Sequence, residues 1–343
     1  MATTGVLSAV GQTPLISLER TESLRHLDVR AKLEALNPGG SAKDRPALAM
    51  IQEAWREGRI GPGSVIVESS SGNMGIGLAQ VCAVMGLHFI CVVDSKTTAQ
   101  NIRILRAYGA EVSLVTEPDP ESGELLQARL KRVQELLQQH PGALWPNQYG
   151  NPANSASHYQ NTVQEVFEAM DGRVDCLLVA TSTCGTLRGC TDFVREQGLG
   201  TQVIPVDAHG SRIFSQRPGE RSIPGIGAGI EPPLRPDHLL GPCQWVRDVD
   251  CVFGCHWLVR QEGLLVGGSS GGVFAALHRL RHDLPEGSRC ALIFADRGER
   301  YLDTVYDDDW VAGLSEPLPA TWDDLERDLS PWLTTPEPTE VLS

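Results

Sequence analysis

The chain has 343 residues, of which 41% are apolar, and a formal net charge of −14 at pH 7. At roughly 100–200 residues per domain this length accommodates two domains, and the apolar fraction is that of an ordinary globular protein. The strong negative charge disfavours a nucleic-acid partner, whose phosphate backbone it would repel. No apolar run approaches the ~20 residues of a membrane span and no signal-peptide pattern opens the sequence, so we expect a cytoplasmic protein without a membrane partner.

Cysteine usage indicates a reducing compartment. The nine cysteines are odd in number, form no Cys-x-x-Cys pair and lie mostly in apolar segments. Such residues behave as small buried hydrophobes rather than as disulfide partners or metal ligands. We therefore predict no metal site.

Strands and helices alternate along most of the sequence. A short strand is expected after residues 11–15 and a second at 29–34. Strands at 65–68, 89–93 and 111–115 then alternate with helices at 75–85, 98–108 and 125–137. Beyond the loop at 147–154 we predict helices at about 156–170, 186–197, 252–262 and 272–281 and strands at 176–180, 202–206 and 290–294. Such spacing forms right-handed parallel β-α-β units, which predicts an α/β fold with sheets covered on both faces.

Two segments interrupt this alternation. The loop at 147–154 separates two runs of β-α units and predicts a domain boundary. The segment after residue 314 is rich in proline and acidic residues. We expect low order there, with an anchor or two among the tryptophans at 310, 322 and 332.

The stretch 37–46, Asn-Pro-Gly-Gly-Ser-Ala-Lys-Asp-Arg-Pro, delivers Lys43 to a predicted helix start. The proline and glycines end any strand, and Ser41 is placed to cap a helix running from Ala42. Partial positive charge at a helix N-terminus favours a neutral amine over an ammonium. A neutral lysine is the nucleophile that forms a Schiff base with a carbonyl or with pyridoxal phosphate. A solvated lysine beside Asp44 is the alternative.

Three loops rich in glycine and hydroxyl residues follow predicted strands, where ligands bind in open α/β sheets. Residues 68–75, Glu-Ser-Ser-Ser-Gly-Asn-Met-Gly, can form an anion-binding nest. Residues 181–186, Thr-Ser-Thr-Cys-Gly-Thr, suit a phosphate, although an ordinary capped helix start would look alike. Residues 267–272, Gly-Gly-Ser-Ser-Gly-Gly, let a backbone approach a ligand closely.

The first loop also admits a dinucleotide-binding interpretation. Gly72, Gly75 and Gly77 follow a strand, and Asp94 ends the next strand at nearly the offset of a ribose-binding acid. The match fails in detail, because the glycine run lacks the final small residue and starts inside the predicted helix. NAD binding is therefore the weaker alternative.

Taken in order, the motifs resemble the fold-type II pyridoxal-phosphate enzymes of the cysteine synthase and cystathionine β-synthase group. The lysine turn is followed by Ser-Gly-Asn at 71–73, Cys-Gly-Thr at 184–186, Pro-Gly-Ile-Gly-Ala-Gly at 224–229, Gly-Ser at 268–269 and Gly-Glu-Arg-Tyr-Leu at 298–302. The resemblance covers about residues 8–312. It implies an α/β, two-domain architecture like that of the tryptophan synthase β-subunit, with twisted, mainly parallel sheets. Residues 1–40 and 151–314 would form a large cofactor-binding domain, 41–150 a small mobile substrate domain and 315–343 a C-terminal extension.

The resemblance also assigns roles to residues. Lys43 would carry pyridoxal 5′-phosphate and act as the catalytic base, Asn73 would bond the cofactor's ring oxygen, and Ser269 would meet its pyridine nitrogen. The cofactor phosphate would be bound by Ser182, Thr183, Cys184, Gly185 and Thr186, and the substrate carboxylate by Ser70, Ser71, Gly72, Asn73 and Gln148. A serine at the pyridine nitrogen makes the cofactor a weaker electron sink than an aspartate would, which suits β-elimination.

Within this group the chain is most similar to the N-(2-amino-2-carboxyethyl)-L-glutamate synthases. These join O-phospho-L-serine to L-glutamate with release of phosphate, supplying 2,3-diaminopropionate for siderophores and peptide antibiotics. Met74, Tyr149, Ser182 and Cys184 depart from the usual cysteine synthase residues and favour an amine nucleophile over sulfide. Anionic substrates need cationic or hydroxyl partners, for which the candidates are Tyr149, Ser182, Arg129, Arg217 and Arg221. A homodimer is expected from the resemblance.

Three alternatives stay open. The first is a cysteine synthase that uses O-acetylserine or O-phosphoserine with sulfide. The second is the NAD-dependent oxidoreductase considered above. The third is a non-catalytic relative acting as a binding or scaffold subunit, against which the presence of Lys43, Asn73 and Ser269 argues.

Overall fold

The computed structural model describes residues 5–215 and 219–327 of the chain. The strands are β1 Leu15–Ser17, β2 Asp28–Leu33, β3 Val65–Ser69, β4 His88–Asp94, β5 Glu111–Val115, β6 Cys176–Ala180, β7 Gln202–Ala208, β8 Gln244–Val246 and β9 Arg289–Phe294. The helices are α1 Asp44–Arg56, α2 Asn73–Met85, α3 Ala99–Ala107, α4 Leu125–Gln139, α5 Pro152–Ser157, α6 Val163–Ala169, α7 Gly185–Glu196, α8 Asp248–Glu262, α9 Gly268–Leu280, α10 Asp308–Ala312 and α11 Trp322–Arg327. Short 3₁₀ helices lie at Gly5–Ala9, Glu22–Leu24, Glu34–Leu36 and Gly298–Tyr301, and a π helix at His158–Thr162.

The predicted alternation of strands and helices is confirmed. Strands β5 and β6 have the predicted bounds, and most other elements differ from prediction by a few residues at their ends. Neighbouring strands pair in parallel throughout both sheets except for β1, which pairs antiparallel with β2. This is the mainly parallel α/β arrangement expected from the sequence.

Several element boundaries were predicted wrongly. Helix α1 begins at Asp44 rather than at Ala42, because Ser41 Oγ accepts a bond from Lys43 N at 3.2 Å within a turn. Helices α8 and α9 each begin four residues before the predicted start, so the third glycine-serine loop forms the first turn of α9. The helix expected at about 156–170 is interrupted by the π helix, in which His158 Nδ1 and Thr162 Oγ1 lie 2.9 Å apart. Strand β8 was not predicted, since its three residues are too few to show the alternation of apolar and polar residues typical of a strand.

By internal contacts, the described chain divides into two compact units. The first unit comprises residues 5–11 and 37–157, and the second comprises residues 12–36 and 158–327. These bounds differ from the predicted domains at residues 5–11, 37–40 and 151–157, and residues 315–327, predicted as a separate extension, fall in the second unit. The lysine turn and the first serine loop belong to the first unit, and the other two loops belong to the second.

The first unit is built on a three-stranded parallel sheet in the order β3-β4-β5. Successive residues of a strand point to opposite faces, and in β3 and β4 both faces are buried. Ile66 belongs to an apolar cluster with Ile76 and Leu78 of α2, whereas Val67 packs with Val133 of α4. Burial on both faces explains the apolar runs 65–67 of β3 and 89–93 of β4.

The second unit is built on a six-stranded sheet in the order β1-β2-β9-β6-β7-β8. Strand β9 lies between β2 and β6 and alternates its side chains between two apolar clusters. Leu292 and Phe294 pack in the cluster that contains α8 and α9, and Ala291 and Ile293 in the cluster that contains α6 and α7. The last strand of the fold thus completes the centre of this sheet.

The predicted C-terminal extension is described as far as Arg327. Trp322 is 7% exposed and meets the ring of Phe253 edge-on, with centroids 4.7 Å apart. It is one of the anchors that the sequence predicted. Residues 328–343, including Trp332, lie outside the described residues.

Two composition-based expectations can be compared with the described residues. None of their helices has both the length and the apolarity needed to cross a membrane. The nine cysteines carry thiols, and eight of these side chains are buried. In the described ranges no group of histidine, cysteine, aspartate and glutamate side chains could hold a metal ion.

Candidate active site

Lys43 is the residue immediately before helix α1, in the first unit, and its side chain is half-buried. The preceding turn is closed by a bond from Gly40 N to Asn37 O at 2.8 Å. The Asn37 side chain accepts a further bond from Gly11 N at 2.8 Å. Lys43 therefore lies at the positive end of a 13-residue helix, where a neutral amine is favoured.

Asp44 holds this turn from the helix side. Its carboxylate accepts a bond from the Gly39 amide. A Cβ on Gly39 would lie 2.6 Å from Asp44 Oδ1, so a larger residue at this position would displace the carboxylate. Asp44 is only 1% exposed, which does not support the alternative of a solvated Lys43–Asp44 pair.

Two glycines of α2 allow close approach of neighbouring elements. A Cβ on Gly77 would lie 3.1 Å from Ala47 Cβ and 3.2 Å from Lys43 O, and one on Gly75 would lie 3.0 Å from Cys91 Sγ. Gly77 therefore lets α2 approach α1 closely, and Gly75 lets α2 approach β4. Helix packing thus accounts for the glycine run on which the dinucleotide interpretation depended.

The serine loop, residues 69–72, starts at the last residue of β3 and leads into α2. Ser70 Oγ accepts bonds from Gly75 N at 2.9 Å and Gly72 N at 3.3 Å, which turn the chain into the helix. Because α2 begins at Asn73, Ser71 and Gly72 lie directly at its N-terminal end. The amides and partial positive charge of a helix start favour a carboxylate there.

Gln148 lies beside this loop. Its backbone N donates to Glu68 Oε2 at 3.1 Å, and its side-chain Nε2 donates to Ser69 O at 3.1 Å. Its carbonyl accepts a bond from Asn154 Nδ2 at 2.7 Å. Both the main chain and the side chain of Gln148 are therefore fixed to the end of β3, and the half-buried Tyr149 follows it.

Arg129 of α4 forms an ion pair with Asp94 at the end of β4. The distance from Arg129 Nε to Asp94 Oδ2 is 3.2 Å, and the side chains are 12% and 8% exposed. Asp94 also accepts a bond from Lys96 N at 3.0 Å. These bonds occupy the carboxylate that the dinucleotide interpretation assigned to a ribose. Any substrate contact by Arg129 would share the guanidinium with Asp94.

In the second unit, residues 181–186 follow β6 and open helix α7. Cys184, immediately before the helix, has a left-handed backbone with φ of 63°, a conformation that favours glycine. The bond from Arg188 N to Cys184 O at 2.8 Å begins the helical pattern, so the amides of the first turn have no partner within the helix. Such a 12-residue helix start fits a phosphate group.

Individual side chains of this loop differ in surroundings. Ser182 is half-buried, whereas Thr183, Cys184, Gly185 and Thr186 are buried. Thr186 Oγ1 lies 3.2 Å from His158 Nε2. The backbone amides and Ser182 are therefore the best placed parts of the loop to receive an anion.

Ser269 is the second residue of α9 and is 3% exposed. A Cβ on Gly225 would lie 3.9 Å from Ser269 Oγ, so the glycine loop at 224–229 passes beside this serine. Gly227 N donates to Thr181 O at 2.7 Å, and this bond joins the glycine loop to the loop 181–186. The structure thus brings together three of the motifs that the sequence singled out.

Arg221 lies against the same glycine loop. A Cβ on Gly227 would lie 2.9 Å from Arg221 Nη1, and Arg221 Nε is buried without a hydrogen-bond partner in the described part of the chain. Asp207, at the end of β7, is nearby and fully buried. Burial raises the pKa of Asp207 to about 7, opposed by hydrogen bonding to Ser211 and by the charge of Arg221. The third candidate, Arg217, lies outside the described residues.

Sequence reasoning assigned no role to the two buried carboxylates at these loops. Glu68 ends the apolar run 65–67 and Asp207 ends the run 203–206. Both are at most 1% exposed, and each accepts a bond from the amide of the last residue of its strand, Ser69 in β3 and Ala208 in β7. An acidic residue closing an apolar strand is the signal that could have identified them.

The sequence matches the family of pyridoxal-phosphate dependent enzymes over residues 6–296, and the chain belongs to this family. The predicted cofactor, fold class and enzyme class are thereby confirmed. The family membership gives the NAD alternative no support.

Two relatives match most of the chain. The N-(2-amino-2-carboxyethyl)-L-glutamate synthase of Ralstonia nicotianae is 44% identical over 315 residues, which cover 92% of this chain and 93% of that protein. The enzyme of the same name from Cupriavidus metallidurans is 41% identical over 318 residues, with the same coverage. The predicted resemblance to this branch is confirmed.

A solved structure also matches the fold. It is that of a hydrogen sulfide-producing enzyme from Fusobacterium nucleatum, with a TM-score of 0.81 and 32% sequence identity. The match covers 88% of this chain and 100% of that one. The architecture is therefore shared with an enzyme whose name describes an activity different from that of the two relatives.

Proposed function

We propose that this enzyme joins O-phospho-L-serine to L-glutamate, forming N-(2-amino-2-carboxyethyl)-L-glutamate and releasing phosphate. The observation that carries this proposal is the pair of relatives named for that product, 44% and 41% identical over 92% of the chain. The departures from the cysteine synthase pattern at Met74, Tyr149 and Ser182 support it.

Pyridoxal 5′-phosphate would be held by residues that match the family motifs one by one. Lys43 would carry it, Asn73 would bond its ring oxygen, residues 182–186 would bind its phosphate and Ser269 would meet its pyridine nitrogen. The N-terminal end of α7, with its partial positive charge, supports the phosphate assignment. When bound, the cofactor would withdraw electrons from the substrate Cα, which acidifies the Cα proton and lets the β-substituent leave.

Lys43 would act as the general base. Its amine would take the Cα proton and return it after the new bond to Cβ has formed. The phosphate leaves with the bonding electron pair, and the α-amine of glutamate supplies the pair for the new C–N bond and loses one proton. The helix start at Lys43 supports this role, because it favours the neutral amine that a base requires.

Substrate anions would be recognised in two ways. Ser70, Ser71, Gly72 and Gln148 would bind the amino-acid carboxylate at the start of α2. The phosphate of phosphoserine and the carboxylates of glutamate need cationic or hydroxyl partners. Two candidates among the described arginines are Arg221, which lies near the buried Asp207, and Arg129, which would share its guanidinium with Asp94. The other candidates are Tyr149, Ser182 and Arg217.

The proposal is tested by supplying phosphoserine with either glutamate or sulfide and identifying the amino-acid product by mass spectrometry. We expect the glutamate adduct and release of phosphate in equal amounts. Lys43→Ala should abolish product, and borohydride reduction of the yellow protein should label Lys43. Lys96→Ala is the matched control, because Lys96 is exposed and lies in a turn after β4.

A cysteine synthase is the second candidate, using O-acetylserine or O-phosphoserine with sulfide. The likeness to a hydrogen sulfide-producing enzyme favours it, at 32% identity. Consumption of sulfide without consumption of glutamate would establish it and contradict the first proposal. Absence of turnover with every pair of substrates, in protein that retains the cofactor, would favour the non-catalytic alternative.

We further propose a cytoplasmic homodimer whose product supplies 2,3-diaminopropionate for a siderophore or a peptide antibiotic. The eight buried thiols suit a reducing compartment. The dimer is supported by the family resemblance. Light scattering on the purified holoenzyme measures the assembly directly.

A further inference from the structure

Glu68 is a buried acid to which neither the family motifs nor the proposed reaction assigns a role. It is the fourth residue of β3 and is 1% exposed. The serine loop begins at the next residue. A carboxylate in this position costs free energy unless hydrogen bonds compensate its burial.

Donors reach this carboxylate from two sides. Ser69 N donates to Glu68 Oε1 at 2.8 Å, and Trp145 Nε1 donates to the same oxygen at 3.1 Å. Gln148 N donates to Oε2 at 3.1 Å, and the backbone of Asn147 also bonds the carboxylate. Glu68 therefore connects the start of the serine loop to the segment 145–148.

The same segment runs beside β3 before it reaches Glu68. Val67 N donates to Leu144 O and Leu144 N donates to Val65 O, both at 2.9 Å. Beyond Glu68, Asn147 adopts a left-handed backbone with φ of 52°, and Gln148 Nε2 bonds Ser69 O at 3.1 Å. The carboxylate is thus the last connection before the chain turns to present Gln148.

We infer that ionised Glu68 is a positioning residue, which fixes Gln148 and the serine loop in the arrangement that binds the amino-acid carboxylate. The inference rests on the carboxylate-binding role proposed for these residues. An ionised carboxylate only accepts hydrogen bonds, whereas a protonated acid or an amide would set a donor against one of the N–H groups. Loss of the charge therefore weakens the attachment of the segment 145–148 to the loop.

This arrangement titrates in the physiological range. Burial raises the pKa of Glu68 to about 7, and the bonds from Ser69, Trp145 and Gln148 oppose the rise. The facing group on β4 is Cys91, whose thiol is neutral because burial raises its pKa to about 12. The charged groups on the α4 side are Arg129 and its partner Asp94. Glu68 therefore gains a proton as the pH falls below about 7, and its hydrogen bonds to Ser69, Trp145 and Gln148 weaken.

The test compares the wild-type holoenzyme with Glu68→Gln, which mimics the protonated acid. We expect the KM for phosphoserine to rise about tenfold at about pH 8.5, equivalent to the loss of one charge-assisted hydrogen bond. At about pH 6 the two enzymes should converge, because wild-type Glu68 is then protonated. The ratio of the two KM values cancels the titration of the substrate itself. The kcat and the cofactor absorbance should stay within about twofold.

A second variant keeps the carboxylate and removes one of its donors. Trp145→Phe should raise the pKa of Glu68 and move the inflection of the KM profile upward by about one pH unit. A KM ratio independent of pH, or a loss confined to kcat, would overturn the inference. So would an unshifted profile in Trp145→Phe.

One readout does not depend on the identity of the reaction. The tryptophan fluorescence of the wild type minus that of Trp145→Phe isolates Trp145, and it should titrate near pH 7 only while Glu68 is present. Failure to form product from phosphoserine and glutamate would contradict the proposed function and leave this titration intact. Absence of the titration would contradict the inference about Glu68 alone.

Discussion

The indole of Trp322 lies flat against the imidazole of His278, with ring centroids 3.8 Å apart and planes 14° from parallel. Glu326 Oε1 lies 2.8 Å from His278 Nδ1 and 2.5 Å from Arg281 Nη1. Six residues are too few for a helix to be stable by itself, so α11 is held by these side chains.

Trp322→Ala should destabilise the fold by about 3 kcal/mol, because it opens a cavity among Phe253, Trp257 and Phe274. Denaturant unfolding of the holoenzyme measures the change. Trp322→Phe retains an aromatic ring and should cost less than half as much. Equal losses in the two variants would show that ring packing is not the cause.

His278 should make stability depend on pH. Burial lowers its pKa to about 4, from an ordinary value of 6.5. The folded protein therefore holds His278 neutral while the unfolded chain takes up a proton, and stability is lost as the pH falls from about 6.5 toward 4, by roughly 2 kcal/mol. The free energy of unfolding of His278→Gln, measured across this pH range, should not show this loss. Parallel plots of unfolding free energy against pH for the wild type and the variant would contradict the prediction.

Cys184→Gly should be more stable than Cys184→Ala by about 1 kcal/mol. Both lose the thiol that packs with Ile213, Ala228 and Leu234, but only glycine relieves the left-handed backbone. Thermal unfolding of the two variants isolates this difference. A more stable alanine variant would show that the φ of 63° carries no cost.

Lys32 is 1% exposed and its Nζ lies 2.6 Å from Glu165 Oε2. Glu165→Leu should cost about 3–5 kcal/mol, because it removes the carboxylate that balances a buried charge. Replacing both residues, with Lys32→Met and Glu165→Leu, should recover most of the loss. Denaturant unfolding of the single and double variants gives the coupling. An additive double variant would contradict the pairing.

The spacing of apolar residues made the alternating strands and helices predictable from sequence. The order of the motifs, from the lysine turn at Lys43 to the glycine-serine loop at Ser269, predicted the family. The start of α1 was not predictable in the same way, because Ser41 bonds a turn that depends on the burial of Asp44. Glu68 and Asp207 were missed for a related reason: their significance lies in burial and in partners distant along the chain.

The unit boundaries show the same limitation. Residues 12–36 belong to the second unit although they precede the first unit's helices, because β2 pairs with β9. No local pattern carries that information, and the predicted grouping of residues 1–40 with 151–314 came from the family resemblance. For Gln148, the family motif in the sequence predicted a role in binding the substrate carboxylate. The hydrogen bond from its backbone N to Glu68 is visible only in the structure.

The pairing of β2 with β9 has a consequence for synthesis of the protein. Asp28 pairs with Arg289, about 260 residues later in the chain. At ribosomal speeds the β1-β2 hairpin would wait on the order of 10–50 s for its central neighbour. Residues 37–157 emerge meanwhile with all three strands of their own sheet. The nascent chain therefore exposes an unpaired strand edge for most of translation, during which chaperones would have their greatest effect on yield.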